Sequence, residues 1–294
     1  MTIVSLGKAE AVSHGAATII NAIATGGGAA FGVNLWTKAL VELTDDPNVI
    51  KGEITSDPSE NPFLIERATF RVLKYFRVEK KFGATVKTTS NIPIARGLKS
   101  SSAAANAVVL AATAALGQSL EDWVAVNLGV DAAFDAKVTV TGAFDDACAS
   151  YYGGIVVTDN LRRKIVMRTS LPEKLSVLFQ VPSQKAYTSD SDVNKLKTIA
   201  PMIKIVYKEA LMGNFWAALS LNGIIYSSAL GYDTSVALAA LRAGAVASGL
   251  CGKGPSVTAV VSDDKIDLVQ AALQRFEGKI IYAQMNGEKA KAVT

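Results

Sequence analysis

The segment at residues 93–106 constrains the fold and function of this chain more than any other, because a turn, a lysine and three serines stand directly before an alanine-rich stretch. Gly97 permits a tight turn that residues with a Cβ disfavour. The serines at 100–102 offer oxygens that cap the start of a following helix. A helix start presents unpaired N–H groups and the positive end of the helix dipole, and Lys99 adds a mobile positive charge. This combination predicts a site for a phosphate group.

The hydroxyl groups at 100–102 are also suited to Mg²⁺, a hard cation that prefers oxygen ligands. Phosphate and Mg²⁺ together predict a nucleotide site. Two familiar nucleotide motifs do not fit: no stretch has the spacing of a Walker A loop, and the glycines at 26, 28 and 32 depart from a dinucleotide fingerprint by one residue. A capped helix without a ligand is the alternative.

The composition is that of a globular chain. Of its 294 residues, 50% are hydrophobic and 19% are charged, which is enough for a packed core in one large or two modest domains. The net charge of +4 comes without a dense basic run, so we expect no nucleic-acid partner. The two cysteines lie far apart and fit neither a disulfide framework nor a zinc site. With no signal-peptide pattern and no apolar stretch long enough to span a bilayer, we expect a cytoplasmic protein without a membrane partner.

Periodicity and turn residues predict an α+β fold, with domains at 1–168 and 169–294 because the pattern of elements changes near 169–173. Strands are predicted at 29–43, 49–55, 82–89, 155–158, 165–168, 175–181, 257–261 and 280–285. Helices are predicted at 11–25, 61–77, 100–116, 119–137, 191–247 and 266–276. We expect these helices to break at the glycines 129, 213, 223 and 231.

Adjacent carboxylates form a second cluster, in which Gly142 opens a loop that carries Asp145 and Asp146. Two like charges close together raise one pKa, which suits a base for a hydroxyl group. The alternative is a helix start whose acids favour the helix dipole. Asp135 lies upstream and is a possible second cation ligand.

A third cluster at residues 248–258 contains three glycines in six residues before a predicted strand, and such a backbone can approach a ligand closely. We expect this cluster to contact the phosphate end of the ligand that residues 97–103 bind. Near the N-terminus, Lys8 either contacts phosphate or polarises a substrate hydroxyl, or is an exposed lysine. For His14 we expect a structural role.

Together these clusters resemble the three motifs of the GHMP kinase superfamily. The superfamily's central motif is Pro-x-x-x-Gly-Leu-Gly-Ser-Ser-Ala-Ala, which Pro93, Gly97, Leu98, two of the serines, Ala103 and Ala104 match. Its third motif, Gly-x-Gly-Pro-Ser/Thr, matches residues 252–256. The resemblance implies a two-domain fold with an N-terminal ribosomal-protein-S5-like domain and a C-terminal ferredoxin-like domain.

Lys99 replaces the second glycine of the central motif, and an extra serine follows. Gly-Leu-Lys-Ser-Ser-Ser-Ala, together with Thr-Gly-Ala-Phe-Asp-Asp-Ala, resembles the archaeal-type shikimate kinase subgroup. That resemblance implies phosphorylation of the shikimate 3-hydroxyl by ATP with Mg²⁺, in aromatic amino-acid biosynthesis, by a monomer or homodimer. The alternatives are a kinase for homoserine, mevalonate or a sugar, a decarboxylase of the same superfamily, and a nucleotide-binding regulator without catalysis.

The resemblance also assigns roles to individual residues. It implies a catalytic role for Asp146 or Asp145, with Lys8 assisting; Asp135 stands eleven residues before Asp146, a spacing that favours Asp146. It implies Mg²⁺ ligands at Ser101, Ser102 and Asp135. The carboxylate of shikimate requires an Arg or Lys, for which Arg96 and Lys185 are the candidates. The implied ATP contacts are Pro93, Ile94, Ala95, Arg96, Gly97, Leu98, Lys99, Ser100, Ser101, Ser102, Ala103, Gly252 and Gly254.

Overall fold

A computed structural model of the chain describes residues 7–171, 175–184 and 193–293. The strands and helices follow an α+β order that is built around two sheets. The strands are β1 (Lys8–Ile20), β2 (Gly27–Thr44), β3 (Ile50–Ile54), β4 (Gly83–Ser90), β5 (Ile155–Asp159), β6 (Lys164–Thr169), β7 (Ser176–Val181), β8 (Ala247–Leu250), β9 (Val257–Val261), β10 (Lys279–Gln284) and β11 (Lys291–Val293). The helices are α1 (Phe63–Tyr75), α2 (Ser100–Ala115), α3 (Asp122–Asp135), α4 (Phe144–Tyr152), α5 (Val193–Lys197), α6 (Ala200–Leu211), α7 (Phe215–Leu230), α8 (Ser235–Arg242) and α9 (Ile266–Leu273).

The first sheet has seven strands in the order β11-β1-β2-β4-β3, with β5 paired to β2 and β6 paired to β5. The second sheet has four strands in the order β10-β7-β9-β8. The predicted domain boundary lies where the chain passes from β6 to β7, and β11 then returns to the first sheet to pair with β1. Apolar residues of both sheets, among them Ile19, Phe31 and Phe179, share one buried cluster. The division of the chain into two domains stays a prediction.

The helix predicted at residues 11–25 is wrong, because this segment forms β1. It pairs antiparallel with β2 from Lys8 opposite Glu42 to Ile20 opposite Ala29. Its last six residues are all buried, because helices α2 and α4 and the C-terminal helix α7 all contact this strand. A strand that is covered on both faces loses the alternation of apolar and polar residues, so its sequence is typical of a buried helix as well.

Helix α2 is the centre of the first core, in contact with α1, α3, β1 and β2. Its alanine-rich sequence suits this position, because small side chains let the neighbouring elements approach closely. The break predicted at Gly129 is wrong, since α3 runs through it. A Cβ at Gly129 would lie 3.3 Å from Asn106 Oδ1 of α2, so the glycine serves close packing between the two helices.

The second sheet is covered by helices, and its helical region differs from the sequence prediction in two places. The breaks at Gly213 and Gly231 are confirmed, but α7 runs through Gly223. A Cβ at Gly223 would lie 2.2 Å from Gly249 Cα in β8, a strand that was not predicted. In the described residues, no helix has the length and apolar character needed to cross a bilayer.

We predict that Gly223→Ala destabilises the fold by about 2 kcal/mol or more, because the added methyl group meets backbone atoms that have no room to move. Gly287→Ala is the control, since a Cβ there meets no atom within 4 Å. Urea unfolding of the two variants and the parent protein measures the difference. Equal stability of the two variants would contradict the close contact between α7 and β8.

Candidate functional site

A cavity of about 370 Å³ lies where the start of α2, the start of α4 and the loop between β8 and β9 come together. Its wall contains residues from four segments, at 21–23, 94–104, 137–146 and 252–254, together with residues of β3 and α1. The three sequence clusters therefore meet at one place. A cavity of this size is suited to a small-molecule ligand.

Helix α2 begins at the cavity without a side-chain cap. Its N-cap residue is Lys99, in a left-handed conformation with φ 64° and ψ 28°. The prediction that a serine caps this helix is wrong, because Ser100 is already the first helical residue and no described side chain caps the helix. Ser100 and Ser101 line the cavity. The uncapped start leaves N–H groups and the positive end of the dipole for an anionic ligand.

Lys99 forms a buried ion pair with Asp146. Its Nζ lies 2.8 Å from Asp146 Oδ2, and the two side chains are only 12% and 9% exposed. Burial opposes the charged form of Lys99, but neighbouring negative charges, that of Asp146 first, and the hydrogen bond with Asp146 together raise the pKa of Lys99, so the lysine stays charged. The other oxygen of Asp146, Oδ1, is buried and has no hydrogen-bond partner among the described residues. Asp146 therefore keeps one acceptor oxygen for a ligand at the cavity wall.

Asp145 has different partners from Asp146. Both carboxylates lie in the first turn of α4 and not in a loop, so the predicted loop is wrong. Asn160 Nδ2 donates to Asp145 Oδ1 at 2.7 Å, and the Asp145 N–H donates to Asn160 Oδ1 at 3.2 Å. Thr158 Oγ1 donates to the same Asn160 oxygen at 2.7 Å, which fixes the orientation of the amide. Burial, and then the charge of Asp146, raise the pKa of Asp145. A Cβ at Gly28 would lie 2.6 Å from Asp145 Oδ2, so only a glycine fits there.

The glycine loop before β9 lies against the turn before α2. Gly97 has φ 87°, and a Cβ on it would lie 2.3 Å from the Cys251 carbonyl oxygen. A Cβ on Gly252 would lie 2.8 Å from Lys99 Nζ. The Gly252 N–H donates to Thr18 Oγ1 at 3.0 Å, and Asn21 Nδ2 donates to the Gly252 carbonyl at 2.9 Å. The end of β1 therefore holds this loop beside the ion pair.

The other residues expected at the site fall into several groups. Lys8 is exposed and pairs with Glu42 at 3.3 Å, so the structure does not bring it to the cavity. Lys185 lies outside the described residues. The predicted site residues that line the cavity are Ile94, Ala95, Gly97, Lys99, Ser100, Ser101, Asp145, Asp146, Gly252 and Gly254; Pro93 and Arg96 line a neighbouring cavity of about 290 Å³, Leu98 and Ala103 are buried in the core, and Ser102 lines neither cavity.

Asp135 is also not brought to the cavity. Its Oδ2 lies 2.8 Å from an Arg67 nitrogen and its Oδ1 lies 2.5 Å from an Arg71 nitrogen, which ties the end of α3 to α1. The hydrogen bond from Arg71, opposed by burial and helped by Arg67, lowers the pKa of Asp135 to about 2. The described part of the chain contains no cluster of three or more His, Cys, Asp or Glu side chains suited to a metal ion.

Sequence reasoning missed two asparagines that organise the site. Asn160 lies between the strands predicted at 155–158 and 165–168, where no site residue was predicted, and Asn21 fell inside a segment predicted as helix. Both act through contacts with residues at least fifteen positions away. No local pattern signals such contacts, because they depend on the packing of the sheets.

The fold agrees with that of known kinases. The family model described as GHMP kinases N terminal domain matches residues 64–154. A crystal structure of a homoserine kinase from Cytophaga hutchinsonii superposes with a TM-score of 0.75, covering 100% of this chain and 99% of that chain at 18% identity. The predicted fold is confirmed.

Archaeal relatives extend this likeness over nearly the whole chain. A protein named shikimate kinase from Methanosarcina mazei is 45% identical over 285 residues, which is 96% of each chain. A protein of the same name from Methanosarcina acetivorans is 46% identical over 285 residues, again 96% of each chain. In sequence the chain is therefore similar to proteins named shikimate kinase. With these relatives and the matching family model, the chain belongs to the GHMP kinase family.

We predict that Asp135→Asn lowers the stability by about 1–3 kcal/mol at pH 7 while kcat is retained, since the residue serves the link between α1 and α3. The pKa of Asp135 is lowered in the fold, so its contribution is complete above its ordinary pKa near ~4 and is lost as pH falls toward 2. Urea unfolding should show a smaller difference in free energy of unfolding between the parent protein and Asp135→Asn at pH 3 than at pH 7.

The control for Asp135→Asn is Asp267→Asn, because Asp267 is an exposed carboxylate in the first turn of α9. It should change stability little at either pH. A loss of kcat in Asp135→Asn together with a changed Mg²⁺ dependence would instead support the metal-ligand role implied by the sequence.

We predict that Asn160→Ala moves the inflection of the kcat–pH profile that belongs to the carboxylate pair to higher pH. The amide donates to the charged form of Asp145, and its removal raises the pKa of that carboxyl further. The shift has the same sign whichever protonation state is active. Asn127→Ala, at a half-buried side chain on α3 that does not line the cavity, is the control. An unmoved inflection in Asn160→Ala would contradict the role of this hydrogen bond.

Proposed function

We propose that this chain transfers the γ-phosphoryl group of ATP to the 3-hydroxyl of shikimate. The observation that carries the proposal is the buried Lys99–Asp146 pair, because it stands at an uncapped helix start and leaves one carboxylate oxygen without a partner in the described chain. The acceptor is inferred from the archaeal relatives named shikimate kinase. A cytoplasmic location and a monomer or homodimer stay predictions.

The nucleotide is best accommodated with its phosphates at the start of α2. There the backbone N–H groups of the first turn, Lys99 and the glycine loop at 252–254 surround one region of the cavity. The base would lie toward β3 and α1, where Ile54, Leu64 and Ile65 give the cavity an apolar wall. The γ-phosphoryl group then faces the two carboxylates of α4.

The acceptor hydroxyl would be oriented by Asp146. Its Oδ1 is free to accept the hydroxyl proton, while Oδ2 is engaged by Lys99. The lysine pairs with Asp146 and offsets negative charge that develops on the transferred phosphoryl group. Phosphoryl transfer needs positioning and electrostatic stabilisation more than covalent chemistry, and this arrangement supplies both.

The residues present fit a Mg²⁺ ion bound together with ATP. The Ser101 hydroxyl is a hard oxygen donor at the cavity wall next to the phosphate region, and Mg²⁺ in such sites keeps several water and phosphate ligands. Ser101 would hold it, with phosphate oxygens and water completing the coordination. The bound ion would neutralise charge on the phosphates. Asp135 is engaged by two arginines and is not needed in this arrangement.

The first test is ADP release from the purified protein with Mg·ATP and a panel of shikimate, homoserine, mevalonate and galactose. We expect turnover with shikimate. Turnover with another acceptor would be consistent with the proposed ATP site but would contradict shikimate as the acceptor. ATP binding without turnover on any of them would favour a regulator.

We predict that Asp146→Asn lowers kcat at least about 100-fold with a small effect on KM for ATP, because it removes the acceptor oxygen's charge and the partner of Lys99. Steady-state kinetics with saturating shikimate measure it. Asp145→Asn is the comparison variant: it keeps the shape of the side chain beside Gly28 and should lower kcat less. The reverse order of the two variants would assign the role to Asp145.

A further inference from the structure

We infer that Asn106 is a positioning residue for Asp146: it fixes the first turn of α4 against α2, so that Asp146 meets Lys99. This inference rests on the proposed function, since it concerns the carboxylate that we propose to orient the acceptor hydroxyl. Asn106 lies inside α2, is 1% exposed, and lines neither the cavity beside Asp146 nor the neighbouring one. Any effect of Asn106 on the reaction must therefore pass through another residue.

The side chain of Asn106 reaches α4 at the residue that follows Asp146. Asn106 Nδ2 donates to the Ala147 carbonyl oxygen at 3.0 Å, and this hydrogen bond is buried. The Ala147 N–H in turn donates to the Ala143 carbonyl oxygen at 2.9 Å, at the start of α4. The amide of Asn106 is therefore bonded to the backbone of the same helical turn that carries the two carboxylates.

This hydrogen bond and the ion pair between Lys99 and Asp146 form two separate links between α2 and α4. Lys99 and Asn106 are seven residues apart, close to two helical turns, which separates them by about 10 Å along α2. Their partners on α4, Asp146 and Ala147, are adjacent in sequence. With the ion pair alone, α4 could pivot about that contact. The second link fixes the angle between the helices, and with it the direction of the Asp146 carboxylate.

The amide of Asn106 has a cost that an apolar side chain would avoid. Its Oδ1 is buried and has no hydrogen-bond partner within the described ranges, and asparagine is a poorer helix former than alanine or leucine. Gly129 of α3 leaves room for this oxygen, since a Cβ there would lie 3.3 Å from it. Thr113, also buried in α2, instead donates within its own helix, to the Val109 carbonyl oxygen at 2.7 Å. Stability alone does not account for an amide at position 106, whereas the position of α4 does.

The test is a double-mutant cycle on kcat between Asn106→Leu and Asp146→Asn. Leucine keeps the branched shape of asparagine and removes the donor. We expect Asn106→Leu to lower kcat about 10-fold or more, with KM for ATP and for shikimate changed less than about threefold, because the bound ligands are not touched while the carboxylate is misplaced. In the Asp146→Asn background the same substitution should lower kcat less than about twofold further, because the two residues act as a unit. Steady-state kinetics of the four proteins with shikimate measure the cycle.

Thr113→Val is the matched control, because it removes a buried polar group from the same helix without a bond to α4. It should change kcat less than about twofold in both backgrounds. Urea unfolding of each variant separates stability from activity. If Asn106→Leu does not fold, Asn106→Ala, which leaves space instead of filling it, gives the same cycle.

Two results would overturn the inference. One is an unchanged kcat in Asn106→Leu, with or without a loss of stability, since the residue would then serve packing only. The other is an equal loss of kcat in the parent and Asp146→Asn backgrounds, since Asn106 would then not act through Asp146. A parent protein that phosphorylates no acceptor would overturn the proposed function itself. That result is distinct from an active parent whose variants show no coupling.

Discussion

The buried ion pair between Lys99 and Asp146 is the interaction on which the rest of the site depends. Burying two charges costs free energy unless their geometry is good. Removing one partner of a buried pair such as Lys99 and Asp146 leaves the other charge uncompensated, which lowers the stability by about 3–5 kcal/mol. The pair joins the start of α2 to the start of α4, so two helix ends face one cavity. An apolar contact at this position would avoid the desolvation cost of the ion pair. That the protein has charges here indicates that the charges themselves are needed.

Much of the surrounding backbone is arranged to let these groups approach each other. Lys99 itself has a left-handed conformation, Gly97 and Gly252 have positive φ, and the glycines at 28, 97 and 252 each stand where a Cβ would collide with the site. The loop that carries Gly252 is held by the end of β1, a strand of the first sheet, although the loop itself connects strands of the second. Formation of the site therefore requires both sheets to be assembled. The alanine-rich helix α2 packs closely against its neighbours and supports the site.

The sequence predicted the parts of the molecule that rest on local chemistry. The turn at Gly97, the helix after it and the strands β5 and β6 follow from residue types and spacing. The meeting of the three glycine and carboxylate clusters follows instead from their resemblance to the GHMP kinase motifs. The failures share a cause: β1 is covered on both faces, and Gly129 and Gly223 lie against other elements, so their roles depend on contacts distant in sequence. Asp135 is a further example, because its spacing from Asp146 matched the pattern of a Mg²⁺ ligand. In the structure two arginines of α1, distant in sequence, bind its carboxylate instead.

The asymmetry of the carboxylates is the feature that separates their roles. Both lie in one helical turn, yet Asp145 meets the Asn160 amide and the backbone of Gly28, whereas Asp146 meets a lysine and keeps one oxygen without a partner in the described chain. Burial and the neighbouring charge of Asp146 raise the pKa of Asp145, which also accepts the hydrogen bond from Asn160. Asp146 is the carboxylate that combines a cationic partner at 2.8 Å with an open oxygen. This combination favours Asp146 over Asp145 as the group that receives the hydroxyl proton.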